Sequence, residues 1–229
     1  MARELSVVLP VSIFERDGQV YFDSVAVLDA DGSVLGVYRK SHIPDGPGYQ
    51  EKYYFAPGNT GFRVWNTRHG RLGVGVCWDQ WFPETARVLA LRGADVLLFP
   101  TAIGSDPGVL GSSMHHWRTV QQGHAGANML PVLAANRFGL EMGRHDNITF
   151  YGSSFITDHL GQIVASAPND SDAVLVHSFD PVEVRRARDA WSMFRDRRPD
   201  LYKSILSLDG SDADSTTHSH SIESRPILV

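Results

Sequence analysis

Apolar and polar positions along this chain predict strands that alternate with helices and hairpins. Ser6 to Ser12 (SVVLPVS) reads as a strand entered directly from Glu4-Leu5, which looks like a helix end. Gln19 to Leu28 (QVYFDSVAVL) alternates with period two, as a half-buried strand does. Asp29-Ala30-Asp31-Gly32 has turn chemistry, and Ser33 to Tyr38 returns as the second arm of a hairpin. Ser41 to Gly58 is a Gly/Pro-rich loop, too long for a plain connection and therefore a candidate for function. Phe62 to Trp65 is a short strand, and Arg68-His69-Gly70-Arg71 a turn.

The central stretch is Leu72 to Pro100. Leu72 to Val76 is a short apolar strand, Pro83 suits a first helical position, and Thr85 to Leu91 favours helix. Gly93 stops that helix, and Asp95 to Pro100 is the next strand. This βαβ unit places Cys77 at the carboxyl end of its first strand, the edge at which open α/β sheets bind ligands. Further on, Thr101 to Ser113 is loop, Met114 to Ala127 helix and Pro131 to Asn136 strand. Arg144 to Asn147 is polar loop. Phe150 to Thr157 and Ile163 to Ala167 form a hairpin about Asp158-His159-Leu160-Gly161. Ala173 to Phe179 reads as strand and Val182 to Phe194 as helix. The pattern predicts one α/β domain over 1–209, with two sheets covered by helices, and a polar tail over 210–229.

Composition narrows the chemistry. The chain has 229 residues, 42% hydrophobic, with a formal charge of -5 and no basic cluster, so neither nucleic acid nor an anionic membrane is an expected partner. No run approaches a membrane span, and residues 1 to 10 lack a leader pattern. A single cysteine excludes an intrachain disulfide and points to a reducing, cytoplasmic setting. No phosphate-binding loop occurs, because Gly73-x-Gly75 lies inside a strand.

Each candidate residue has a plain alternative. Cys77 is either a nucleophile favoured by the helix dipole or a small buried hydrophobe. Lys40, at a strand end, is either the cation that lowers the thiol pKa and holds an oxyanion, or a solvated sheet-edge lysine. Glu51, among aromatics, is either a buried acid paired with Lys40 or a surface residue. Asp79 and Glu84 read as caps of the following helix, and His42 as a hydrogen-bonded structural residue. Asn136 closes a strand at the same sheet edge and is a candidate for the pocket wall. His115, His116 and His124 lack zinc spacing, and His218 with His220 is a weak metal signal, so no metal is expected.

Six stretches together resemble the nitrilase superfamily of carbon–nitrogen hydrolases: YRKSHIPDGPGYQEKYYFAPG (38–58), GVGVCWDQWFPE (73–84), GADVLLFPTAIGS (93–105), QGHAGAN (122–128), NITFYGSSFI (147–156) and FRDRRPDLY (194–202). The resemblance implies an α-β-β-α sandwich and a catalytic set in which Cys77 is the nucleophile, Lys40 the lysine and Glu51 a supporting acid. It implies an oxyanion held by Lys40 and the Trp78 backbone N–H, a substrate pocket shaped by Tyr49, and no organic cofactor. The branch it points to hydrolyses N-carbamoylputrescine, a small N-carbamoyl amine, and its members are homo-oligomers. The family's general-base glutamate matches none of Glu4, Glu15, Glu51 or Glu84. The expectation is therefore a sandwich lacking its first strand–helix units, belonging to a hydrolase, a shortened isoform or an inactive relative.

Overall fold

The structure is a computed structural model that describes residues 1–105, 111–144 and 147–211. These fall into two compact units, Met1–Ala187 and the residues from Arg188 onward. The first unit holds the predicted βαβ core. After a single helical turn, α1 (Ala2–Leu5), strands β1 (Leu9–Asp17), β2 (Val20–Leu28) and β3 (Val34–Arg39) form an antiparallel three-stranded sheet in that order. The second sheet has six strands in the order β11-β10-β7-β6-β5-β4. These are β4 (Val64–Thr67), β5 (Gly70–Val74), β6 (Val96–Thr101), β7 (Val132–Asn136), β10 (Phe155–Thr157) and β11 (Ile163–Ser166). Strands β5, β6 and β7 run parallel, joined by α2 (Pro83–Leu91) and α3 (Met114–Asn128).

The sheets meet face to face. Val25, Val27 and Tyr38 from the first pack against Trp65, Leu72 and Val74 from the second and Val76 just after β5. On the other face of the larger sheet, Trp117 of α3 packs with Ala134 of β7 and Phe155 of β10. Gly75 explains the Gly-x-Gly pattern. A β-carbon there would stand 2.6 Å from the Phe99 ring and 3.2 Å from Thr85, so glycine lets β6 and α2 close over the approach to Cys77. No helix among the described residues is long and apolar enough to cross a membrane.

Three expectations are corrected. Phe150 to Thr157 is not one strand: it divides into β9 (Asn147–Tyr151) and β10, and β9 pairs with β8 (Phe138–Met142) in a separate ribbon. The break comes where Gly152 and Ser153 both take positive φ, 49° and 57°. Ala173 to Phe179 forms no strand, and Val174 and Val176 are almost fully exposed, so β-propensity there finds no partner strand among the described residues. Leu72 to Val76 leaves the strand early, at Val74. The helix α4 (Pro181–Trp191) begins in the first unit. The second unit continues with short 3-10 turns at Pro199–Leu201 and Lys203–Leu206. Beyond residue 211 the expected polar tail, with His218 and His220, lies outside the described residues.

The end of the long loop is tied back to the first sheet region at two places: the Ala56 N–H donates to the Tyr21 carbonyl of β2 at 3.0 Å, and Gly58 bonds beside β3. Gly58 donates its N–H to the Lys40 carbonyl at 2.7 Å, and a β-carbon on Gly58 would lie 2.1 Å from the Arg39 carbonyl oxygen. Gly58→Ala therefore forces the backbone beside Lys40 apart. Unfolding in denaturant should show a loss of about 2–4 kcal/mol, typical of an uncompensated steric conflict. A loss below about 0.5 kcal/mol would mean that the contact yields freely.

Candidate active site

Cys77 opens a 3-10 turn, Cys77–Trp81, that leads into α2. Its φ of 44° is in the left-handed region, where a β-carbon crowds the backbone, so the surrounding structure has to hold it there. Two buried side chains do so. Asp79 accepts hydrogen bonds from the Val76 N–H (2.9 Å), the Tyr38 hydroxyl (2.7 Å) and the His42 N–H (3.0 Å). The Nδ1 atom of His42 lies 2.7 Å from the same carboxylate, and the imidazole stacks on Phe82 with centroids 3.7 Å apart. Gln80 accepts at Oε1 from Trp117 Nε1 and Gln121 Nε2, both at 2.7 Å, and from the Thr101 hydroxyl at 3.0 Å. Asp79 thus caps the turn, as its position suggests, and also ties the turn to the Lys40 loop.

Lys40, the residue after β3, is fully buried at its side chain. Its ammonium lies 3.3 Å from Asp23 Oδ2 and forms a short ion pair with Glu51. Burial pulls the Lys40 pKa down, but Cys77, Asp23 and Glu51 outweigh it and hold the group above its ordinary value. Burial raises both Asp23 and Glu51, opposed by Lys40. Burial also pushes up the Cys77 thiol, again opposed by Lys40, and the thiol points to the Ala102 carbonyl at 3.8 Å.

A cavity of about 380 Å³ opens over Cys77, a volume suited to a small ligand. Glu51, Tyr49, Trp78, Gln80, Trp81, Ala102, Ile103 and His116 are among its walls, with Asp45 on the exposed loop at its edge. The Tyr49 oxygen accepts the Gly104 N–H at 3.0 Å, which fixes the ring between two loops. Trp78 follows Cys77 in the turn, where the first N–H groups have no partner within the turn itself and can face a developing anion. The geometry therefore assembles a thiol, an adjacent ammonium and amide donors, the parts needed for acyl transfer through cysteine.

Of the residues anticipated from sequence, Cys77, Lys40, Glu51, Trp78 and Tyr49 come together. Asn136 does not join them. Its Oδ1 accepts the Ile103 N–H at 2.9 Å, and its Nδ2 donates to the Ile103 and Gly152 carbonyls at 3.0 and 2.9 Å. The amide is used by the backbone, and the residue lines a separate cleft with Arg137 and Ser154. It shapes the cavity wall only through Ile103. Asp23, Asp45, Gln80, Trp81 and His116 were not anticipated, although Asp45, Gln80 and Trp81 lie inside the motifs that marked the site.

Comparison with known proteins agrees with this geometry. The family model described as carbon-nitrogen hydrolase matches residues 1–189. The chain belongs to the carbon–nitrogen hydrolase family. It is 57% identical over 217 residues to the N-carbamoylputrescine amidase of Solanum lycopersicum, covering 93% of this chain and 72% of that one. It is 56% identical over 207 residues to the citrullinase of Francisella tularensis, covering 90% and 72%. Among solved structures, the carbon-nitrogen hydrolase of Helicobacter pylori G27 superposes with a TM-score of 0.85 at 42% identity, over 90% of this chain and 73% of that one. An amidase of Nesterenkonia sp. AN1, at TM-score 0.70 and 27% identity over 88% and 68%, was captured as a glutamate-to-glutamine mutant with an acetamide moiety covalently added at its active-site cysteine. The fold is that of the nitrilase superfamily, and by family this protein is a C–N hydrolase.

Proposed function

We propose that the Cys77 site hydrolyses the ureido group of a small N-carbamoyl amine, with N-carbamoylputrescine as the first substrate to test. The observation that carries this is the charge of the cavity. Its charged lining among the described residues is acidic, Asp45 and Glu51, with no lysine or arginine. Such a wall favours a substrate ending in an ammonium over one ending in a carboxylate. Two relatives support the ureido class: one is named for carbamoylputrescine and the other for citrulline.

In this mechanism Cys77 loses its proton to a base and its sulfur bonds to the carbamoyl carbon. Lys40 and the Trp78 N–H hold the oxyanion. The C–N bond to the first amine breaks, that amine takes a proton, and a thioester-like acyl-enzyme remains. Water then adds to the acyl carbon, gives up its proton to the base and releases the cysteine. For N-carbamoylputrescine the overall products are putrescine, carbon dioxide and ammonia. The supporting acid is Glu51, engaged with Lys40. The base is the family glutamate for which these residues offer no match, and general acid–base catalysis is worth about 10² to 10⁴-fold. A second reading is a non-catalytic form that associates with active subunits.

Ammonia release from N-carbamoylputrescine, citrulline and N-carbamoyl-β-alanine, with Cys77→Ser as control, separates these readings. Cysteine-dependent turnover that favours carbamoylputrescine at least about tenfold is the expected result. A preference for citrulline or carbamoyl-β-alanine would overturn the substrate assignment. No cysteine-dependent turnover of any of the three by this chain would favour the non-catalytic form.

A further inference from the structure

The one carboxylate at the catalytic lysine that no motif marks is Asp23. Its backbone carbonyl accepts the Lys40 N–H at 2.8 Å, and its side chain reaches the Lys40 ammonium at 3.3 Å from the side of β2. Glu51 reaches the same ammonium from the loop. The centre thus has two carboxylates on one buried cation. The other charged group facing it is Asp79, on the Cys77 turn, which is already engaged by Tyr38, His42 and the Val76 N–H. On β1 the residue opposite Asp23 is the uncharged Phe14, and neighbouring Glu15 is held by Arg39 and Ser24. No positive group other than Lys40 pairs with Asp23 or Glu51 among the described residues. One ammonium cannot neutralise both acids, and the remaining negative charge bears on any anion formed at Cys77.

We propose that Asp23 is a positioning residue of the Cys77 centre: it shares the Lys40 ammonium with Glu51, and the surplus negative charge keeps the resting nucleophile a neutral thiol. A thiol reacts far more slowly with oxidants and stray electrophiles than a thiolate does, so the arrangement protects the one cysteine of the chain. Burial is the first cause of the raised Cys77 pKa, Lys40 opposes it, and the charges of Glu51 and Asp23 add to the rise. The proposal rests on Cys77 being the nucleophile, but its test uses no turnover. A chain inactive on every ureido substrate would sink the functional assignment and leave this measurement intact.

Alkylation by iodoacetamide, followed against pH on the purified full chain, reports Cys77 alone because no other cysteine is present. Asp23→Asn keeps the shape and removes the charge. Its alkylation midpoint should move to lower pH by about half a unit or more, raising the thiolate fraction at neutral pH about threefold. Asp23→Glu should bring the midpoint back toward that of the unmodified chain. An unchanged or higher midpoint in an Asp23→Asn chain that still unfolds cooperatively overturns the proposal. Should Asp23→Asn fail to fold, carboxyl carbon-13 NMR of the unmodified chain decides. The Asp23 signal should titrate above the ordinary aspartate range and respond to alkylation of Cys77. A signal within that range and indifferent to alkylation overturns the proposal.

Discussion

Lys40→Met is expected to lower turnover about a thousandfold and to destabilise the fold most at neutral and alkaline pH. Methionine keeps an unbranched apolar stem in the buried channel, so the change is close to removal of the ammonium alone. The kinetic loss follows from its place: loss of one oxyanion donor in a dry site costs about 10² to 10³-fold, and Lys40 is also the charge that favours the thiolate. The stability loss follows from what remains. Asp23 and Glu51 stay buried with no cation, and breaking such a cluster costs about 3–5 kcal/mol. Both carboxyls are already raised by burial, and Lys40 is what restrains them. Without it they rise further, and the folded variant binds protons more tightly than the unfolded chain. The variant's stability therefore improves as pH falls and declines as pH rises through the folded pKa values. Guanidinium unfolding at about pH 5 and about pH 8 reads the sign. The gap from the unmodified chain should be smaller at the lower pH. An equal or wider gap there would contradict the ion cluster.

Where the local pattern was strong, the fold was legible. The βαβ unit about Cys77 has an apolar run, Pro83 at the helix start and Gly93 after its end, and each maps onto β5, α2 and β6 within about two residues. Cys77, Lys40 and Glu51 were legible because a motif marks each of them. Asp23 was not, for a geometric reason. By alternation it shares a face with Val25 and Val27, the core side of the strand, where period two predicts an apolar residue and names no partner for an acid. A regular hairpin counted back from the turn, with Leu28 opposite Val34, would set Asp23 opposite Arg39. The structure has a bulge between Val27 and Leu28, so Ser24 faces Arg39 and Asp23 is carried to Lys40. A one-residue slip changes which side chain meets which, and its one signal in the sequence is Gly36, a glycine inside β3 at φ 142° beside the extra residue Leu35. Ala173 to Phe179 failed in the opposite way. Its alternation is real, but strand pairing is a tertiary event, and no partner comes to it among the described residues. Asn136 was placed at the correct sheet edge, yet the demand of the Ile103 and Gly152 backbone for partners took its amide.

Asp79→Ala should be the most destabilising single change in the Cys77 turn, at about 3–5 kcal/mol, and should also impair Cys77 chemistry. The side chain is fully buried and its two oxygens are shared among four atoms: the Val76 and His42 N–H groups, the Tyr38 hydroxyl and His42 Nδ1. Alanine leaves the Val76 and His42 N–H groups without this acceptor, while the Tyr38 hydroxyl keeps Ser41 and the half-buried His42 ring can reach water; each orphaned donor costs about 1–3 kcal/mol. Asp79→Asn separates charge from geometry. Its one amide oxygen can serve either the Val76 side or the His42 side, while its NH₂ confronts a donor on the other, so it should lose about half as much. Denaturant unfolding gives these values. The rate of Cys77 alkylation relative to that of the unfolded chain shows whether the turn still holds the residue at its left-handed φ. If Asp79→Ala were to lose less than about 1 kcal/mol, the carboxylate would be a surface cap rather than the tie between the lysine loop and the nucleophile turn. The larger loss would show that Lys40 and Cys77 are set against each other by a residue that touches neither: Asp79 holds the backbone after Lys40 through His42 and the backbone before Cys77 through Val76, and the 380 Å³ cavity lies over that tie.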